Sequence, residues 1–385
     1  MKSIFSLKIT AIVFWFLLIL YSCNTSVPEK NFVGEVIPEL VLTDSIVVDR
    51  LTEFILLDVQ EDRSNFLLYD WKTKEMINLS PSGEIKAIAN LNGDGKNSYQ
   101  DSYFVGARYK GDDKILIQTY AGLYIYDLDF NLIEKQKDTY DLVTRTVGGS
   151  RGFDVFGNYL YTFSIEENDL KKVYDTDEFS NAYPFFTIRD IDSYEIIKSN
   201  KIPETSYLAK NPGFYNNLDP IVKFKDESLF VIYPNSPEMY VYDLPSLNLR
   251  NYFDLNPEGE FKVIKPHKKH EGLKGFFNSL ASGEYQDFIF SNGYLLTIYK
   301  EAAPQDEVDA LPQEVVGGPE FNELSKKYKS KSFYQIFKEE EKIWEGKWDI
   351  NLKVRRNLIY SNAKLGEDPN AVEKDVQTLY FYEIR

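Results

Sequence analysis

The sequence predicts an all-β fold, and three observations predict it. From residue 33 onward, short aromatic and β-branched runs alternate with Gly, Asn, Asp and Pro; almost no window keeps a 3.6-residue period; and one four-strand grammar returns six times. The 385 residues are 43% hydrophobic, 15% aromatic and 27% charged, enough apolar surface for a large core. That composition excludes intrinsic disorder and a collagen-like repeat, and a single cysteine excludes a disulfide scaffold.

Along the chain, the first element is a leader. Lys2 and Lys8 precede an apolar run from Ile9 to Leu20, which ends at Tyr21-Ser22-Cys23. Twelve apolar residues are too few for a membrane-spanning helix, which needs roughly 20, so residues 1–22 read as a signal peptide. The Leu20-Tyr21-Ser22-Cys23 tetrad resembles the lipobox of bacterial lipoproteins, where the cysteine is acylated and becomes the new amino terminus. Cys23 is the one cysteine of the chain and the expected lipidation site. Residues 23–32 read as a polar linker, and 33–385 as one folded domain.

The clearest unit runs from Asp101 to Lys137, with turns at Gly111-Asp112-Asp113 and Asp129-Phe130-Asn131 between four strands, labelled A to D. The same order returns at Ile221 to Asp254. Phe153 to Tyr161 and Phe288 to Leu296 are further A–B hairpins, the second carrying the Asn292-Gly293 pair that a two-residue turn needs for positive φ. An earlier unit spans Ile46 to Leu79, and a last one holds Asn357 to Tyr360 and Thr378 to Tyr382. Four-stranded meanders repeated in this way form radial rings, so the expectation is a six-bladed β-propeller of antiparallel blades, with a β-sandwich as its rival. The sixth unit reaches Arg385 after its third strand, while Val33 to Leu42 is a spare strand; it is expected to complete the last blade and close the ring.

Loop lengths predict which face works. With A innermost, A–B and C–D turns share one face and are short, as at Gly157-Asn158 and Pro245-Ser246. The D–A crossovers, placed at Ser80–Gln100, Asp138–Gly152, Asn200–Asp219 and Leu255–Gln286, are long and share the other face with two B–C insertions, Glu166–Pro184 and Glu301–Lys331. The second insertion is expected to carry a short helix over Phe321 to Lys329. Candidate binding residues on this rim are Tyr99, Arg145, Arg151, Tyr207, Asn211, Tyr215, Asn216, His267, His270, Lys274 and Tyr285, because Tyr and Arg combine apolar area with directional donors.

Catalytic signals are weak. His267 and His270 stand three apart beside Glu271, but two lysines lie between them and no third ligand is placed, so they read as solvated loop residues and no metal or cofactor is expected. Gly148-Gly149-Ser150-Arg151-Gly152 matches a nucleophile-elbow pattern in letters only, since it precedes a strand instead of joining strand to helix. Asn92 to Asn97 departs from a calcium loop at Lys96 and reads as a glycine-rich turn. Net charge is −16, and −18 once residues 1–22 with their two lysines are removed, which opposes nucleic-acid binding.

Together, the lipobox, the aromatic A–B hairpins, the Leu-Tyr-Ile-Tyr-Asp-Leu strand and the Asn-Gly-Asp-Gly-Lys-Asn-Ser-Tyr crossover resemble the Bacteroidota lipoproteins that carry an uncharacterised six-bladed, TolB-like propeller domain. The resemblance covers nearly the whole mature chain. It implies an outer-membrane, lipid-anchored protein, periplasmic or surface-exposed, and carries over no catalytic residue. The expected function is a noncatalytic module that binds a protein, peptide or glycan; the alternative is a propeller lyase or hydrolase with its site at the channel mouth.

Overall fold

The computed structural model describes residues 38–385 apart from 53, 100–103, 120–121, 137–152, 163–175, 177–179, 181–183, 217, 264, 269–270, 313–315 and 368–375. The leader, Cys23, the linker, Arg145, Arg151 and His270 lie outside the described residues, as does most of the insertion at Glu166–Pro184.

Apolar runs bury the inner strands on both faces, while the outermost strand of each blade stays more exposed. Among the described residues, twenty-four strands form six four-stranded antiparallel sheets. Blade 1 is β2 (Phe54–Val59), β3 (Phe66–Asp70), β4 (Glu75–Leu79) and β5 (Ile85–Asn90). Blade 2 is β6 (Phe104–Lys110), β7 (Lys114–Thr119), β8 (Gly122–Asp127) and β9 (Leu132–Gln136). Blade 3 is β10 (Phe153–Phe156), β11 (Tyr159–Thr162), β12 (Pro184–Asp190) and β13 (Ile196–Lys201). Blade 4 is β14 (Ile221–Lys225), β15 (Ser228–Ile232), β16 (Glu238–Asp243) and β17 (Leu249–Asp254). Blade 5 is β18 (Glu284–Ser291), β19 (Tyr294–Lys300), β20 (Phe333–Lys338) and β21 (Glu341–Gly346). Blade 6 is β22 (Lys353–Arg355), β23 (Leu358–Ser361) and β24 (Gln377–Ile384), completed by the N-terminal β1 (Leu40–Val48).

The innermost strands β2, β6, β10, β14, β18 and β22 each touch the next in a closed circuit. Six apolar cores fill the gaps between neighbouring blades. On β8, Tyr124 and Tyr126 enter the core shared with blade 1, while Leu123 and Ile125 enter the core shared with blade 3, as a two-residue period requires. The seam between blades 6 and 1 is filled like the others, by Ile46, Val48, Phe54, Leu68, Tyr360 and Phe381 among others. Each such buried side chain stabilises the ring by roughly 1.5–3 kcal/mol relative to exposure. The fold is therefore the six-bladed β-propeller that the repeats predict.

Turn chemistry follows the letters. Asn292 and Gly293 have φ of 51° and 81°, the doubly left-handed pair of a type I′ hairpin. Asp127 ends β8 and accepts from the amides of Asp129 and Asn131 at 3.0 and 2.8 Å; Asp190 does the same for Asp192 and Ser193 at the end of β12. These Asx turns are why strand C so often closes on Asp.

Several boundaries differ from the sequence expectation. The closing strand is Leu40–Val48, not Val33–Leu42, and Ile46 belongs to it instead of opening the first unit. The shift follows burial, because Ile46 and Val48 point into the seam. Ser80–Gln100 is not all crossover: it contains β5, an outer strand whose half-exposed Ile-Lys-Ala-Ile-Ala-Asn pattern carries little apolar signal. The expected helix at Phe321–Lys329 is α4 (Pro319–Leu324) followed by a π turn at Ser325–Lys329, and α3 (Gln305–Asp309) precedes it. A further long B–C connection, residues 362–376, joins β23 to β24.

Candidate functional site

Each innermost strand delivers a charged side chain to the central channel: Asp58 from β2, Arg108 from β6, Asp154 from β10, Lys223 from β14, Asp287 from β18 and Arg355 from β22. Around the ring the signs alternate, acid then base. Arg108 Nε lies 2.9 Å from Asp154, and Lys223 Nζ lies 3.0 Å from Asp287. Arg356, on the turn after β22, grips Asp58 through Nε and Nη2 at 2.7 and 2.9 Å. Blades 2–3, 4–5 and 6–1 are thus joined pairwise at the axis. Burial lowers the Arg108 guanidinium, with Asp154 opposing.

The electrostatics follow from burial opposed by pairing. Burial alone would raise the Asp154 carboxyl, but Arg108, Arg356 and Lys223 hold it below the ordinary carboxylate value. Burial lowers the Lys223 ammonium, with Asp287 opposing. Arg108 is 1% exposed and also donates to the carbonyls of Leu57, Ala107 and Phe153, so its guanidinium is satisfied within the wall. Asp58 is fully buried and accepts from the Tyr109 amide at 2.8 Å. Pairs of this kind fasten neighbouring blades together at the axis.

The two ends of the channel differ. At the short-turn end a cavity of about 410 Å³ opens over Asp154, Lys223 and Arg356, walled by Phe156, Phe224 and Phe290. On the loop face, cavities of about 750 and 570 Å³ adjoin, sharing Lys353, Asn362 and Gln377 in a groove that crosses blades 5, 6 and 1. Leu51 (71% exposed) and Trp71 (48%) line one end of the groove, and Trp348 the other. Trp348 stacks on Trp344 at 4.6 Å, which fixes its ring. Beside the groove, α2 (Leu273–Ser279), α3 and α4 pack Phe277, Val308, Leu311 and Leu324 into a small separate core.

The predicted rim residues divide. The structure brings Tyr207, Asn211, Tyr215, Asn216, His267 and Lys274 into one neighbourhood formed by two adjacent crossovers. Tyr207 opens α1 (Tyr207–Lys210), and the Tyr207 carbonyl accepts from the Asn211 amide at 3.0 Å; the Tyr215 hydroxyl donates to the Asn211 carbonyl. Phe214 and His267 exchange both backbone hydrogen bonds, at 2.8 and 2.9 Å, tying the crossovers together. His267 Nδ1 stands 3.2 Å from Glu271, and Lys274 is exposed on α2. Tyr215 and Asn216 are buried in this neighbourhood, Tyr99 in the core between blades 1 and 2, and Tyr285 in that between blades 4 and 5, where its hydroxyl donates to Gln335 at 3.0 Å. Burial pushes the phenols of Tyr99, Tyr215 and Tyr285 up. Among the described residues no group of three or more His, Cys, Asp and Glu is arranged to hold a metal ion.

Sequence reasoning missed the channel charges. The available signal was an ionised residue inside each innermost apolar run, as in Phe-Ile-Leu-Leu-Asp-Val and Ile-Val-Lys-Phe. The site and fold define a β-propeller with a charge-filled shaft and cavities at both faces. No protein-family profile matches the chain, and no curated protein matches it. Among solved structures, it is similar to a member of the DUF4221 family from Bacteroides vulgatus, with 13% identity over 90% of this chain and 98% of that one and a TM-score of 0.63. It is also similar to a candidate exported protein from Bacteroides fragilis, with 10% identity over 91% and 96% and a TM-score of 0.52. At these identities the likeness is one of fold.

Proposed function

We propose that the chain is an envelope lipoprotein, lipidated at Cys23 after loss of residues 1–22 and tethered through residues 23–32. Its propeller binds an extended protein segment, peptide or glycan on the loop face without catalysis. The observation that carries this reading is the groove across blades 5, 6 and 1, where Trp71 and Trp348 offer aromatic faces and Lys72, Lys331 and Lys364 offer cations. Fixed aromatic rings supply large contact area at low entropic cost, and such rings dominate binding energy at interfaces. The exported Bacteroides neighbour agrees with an envelope address.

The first strand joins the ring away from the groove. Glu39 and Arg385 exchange backbone hydrogen bonds at 2.9 and 3.0 Å where a C–D turn would otherwise stand. β1 therefore enters the ring on the short-turn side. Cys23→Ser is expected to move the protein from the membrane to the soluble fraction; if it stays with membranes, something other than acyl chains holds it. Trp71→Ala with Lys364→Glu is expected to weaken about tenfold the retention of any envelope protein, peptide or glycan that copurifies with the wild type, with the melting midpoint unchanged. Unchanged capture would move the binding surface elsewhere.

A further inference from the structure

We propose that the short-turn mouth of the channel, on the face opposite the groove, is a separate site for a small anion with a flat apolar body, of the aromatic-carboxylate class. The first reason is shape. The cavity of about 410 Å³ falls in the range of small-molecule sites, and several of the turns that frame it are short hairpins. Its walls keep aromatic rings where solvent reaches them: Phe156 and Phe224 lie parallel, 5.3 Å apart with 3° between planes, and Phe290 carries the Lys225 ammonium 4.5 Å above its ring. Phe156, Phe224 and Phe290 come from three successive blades and are each only partly buried.

The second reason is charge. The cavity is lined by three cations, Lys223, Lys225 and Arg356, against two acids, Asp154 and Glu61. One positive charge is in excess, inside low-dielectric walls that focus its field on the opening. Lys223 and Arg356 both face the cavity while engaged with Asp287 and Asp58. A carboxylate arriving there meets the exposed Lys225 ammonium at the rim, and its planar body meets the paired phenylalanines. The acidic surface of the whole chain, −16, disfavours polyanions at the same opening.

Calorimetric titration of the full chain with 2-naphthoate, 2-naphthamide and 2-naphthylmethylammonium tests this. One saturable site is expected for the naphthoate, about tenfold tighter than for the neutral amide or the cation. Lys225→Glu and Phe156→Ser, both at solvent-accessible positions, are each expected to weaken naphthoate about tenfold at an unchanged melting midpoint, and Trp71→Ala on the other face to leave it unchanged. Equal affinity for the amide or the cation, naphthoate binding that survives both mouth variants, or no saturable naphthoate binding would each overturn the proposal.

Discussion

At the residue scale, the chain places its costliest groups where the ring needs fastening. Asp58 has no solvent, and its carboxylate depends on the two-point grip of Arg356 and the amide of Tyr109. Removing one partner of such a pair strands the other charge, so Arg356→Met is expected to cost about 3–5 kcal/mol in urea unfolding. The double variant Asp58→Leu with Arg356→Met should recover part of that loss, because it strands no charge, although the Tyr109 amide loses its acceptor. A single-variant cost below about 1 kcal/mol would mean that the pair does not fasten blade 6 to blade 1. The residues of this network could be read from the sequence as charged letters in apolar strands. Their partners could not, since Asp58 and Arg356 are 298 positions apart and meet only across a closed ring.

At the element scale, β1 decides whether the ring has an open edge. It pairs with β24 from Leu40 opposite Ile384 to Val48 opposite Gln377, with an irregularity between Leu42 and Asp44. Its alternation is sharp: Ile46 is 3% exposed and Val47 is 51% exposed. Ile46→Ala is therefore expected to cost about 2–4 kcal/mol and Val47→Ala under about 0.5 kcal/mol, measured by denaturant midpoint. Equal small costs at both positions would refute the closure by this strand and register. The existence of a spare N-terminal strand was legible, because blade 6 has only three strands of its own. Its register was not, because Val33 to Val48 is apolar at several spacings and only the seam between two blades selects Ile46 and Val48 for burial.

At the scale of the whole molecule, paired carboxylates set the acid limit of stability. Asp70, Asp127, Asp154, Asp190 and Glu345 all sit below their ordinary values. Burial works against Glu345, but bonds from Lys342, Tyr299 and Gln335 outweigh it. A depressed folded value means that the unfolded chain binds more protons in acid, so this stability is complete above about pH 5 and is lost as pH falls through 4 toward the folded values. Urea midpoints from pH 7 to pH 3 should fall, and Glu345→Gln should be less stable at pH 7 with a shallower fall. A variant that keeps the full slope would remove Glu345 from the cause. The sequence by itself determined the repeat, the strand grammar, the Asx and type I′ turns and the division into short-turn and long-loop faces, because these depend on neighbours within a few positions. Only the tertiary structure decided which charges share the axis, which tyrosines are core, and where the two mouths open, because closing a ring joins groups from all six blades that no local pattern connects.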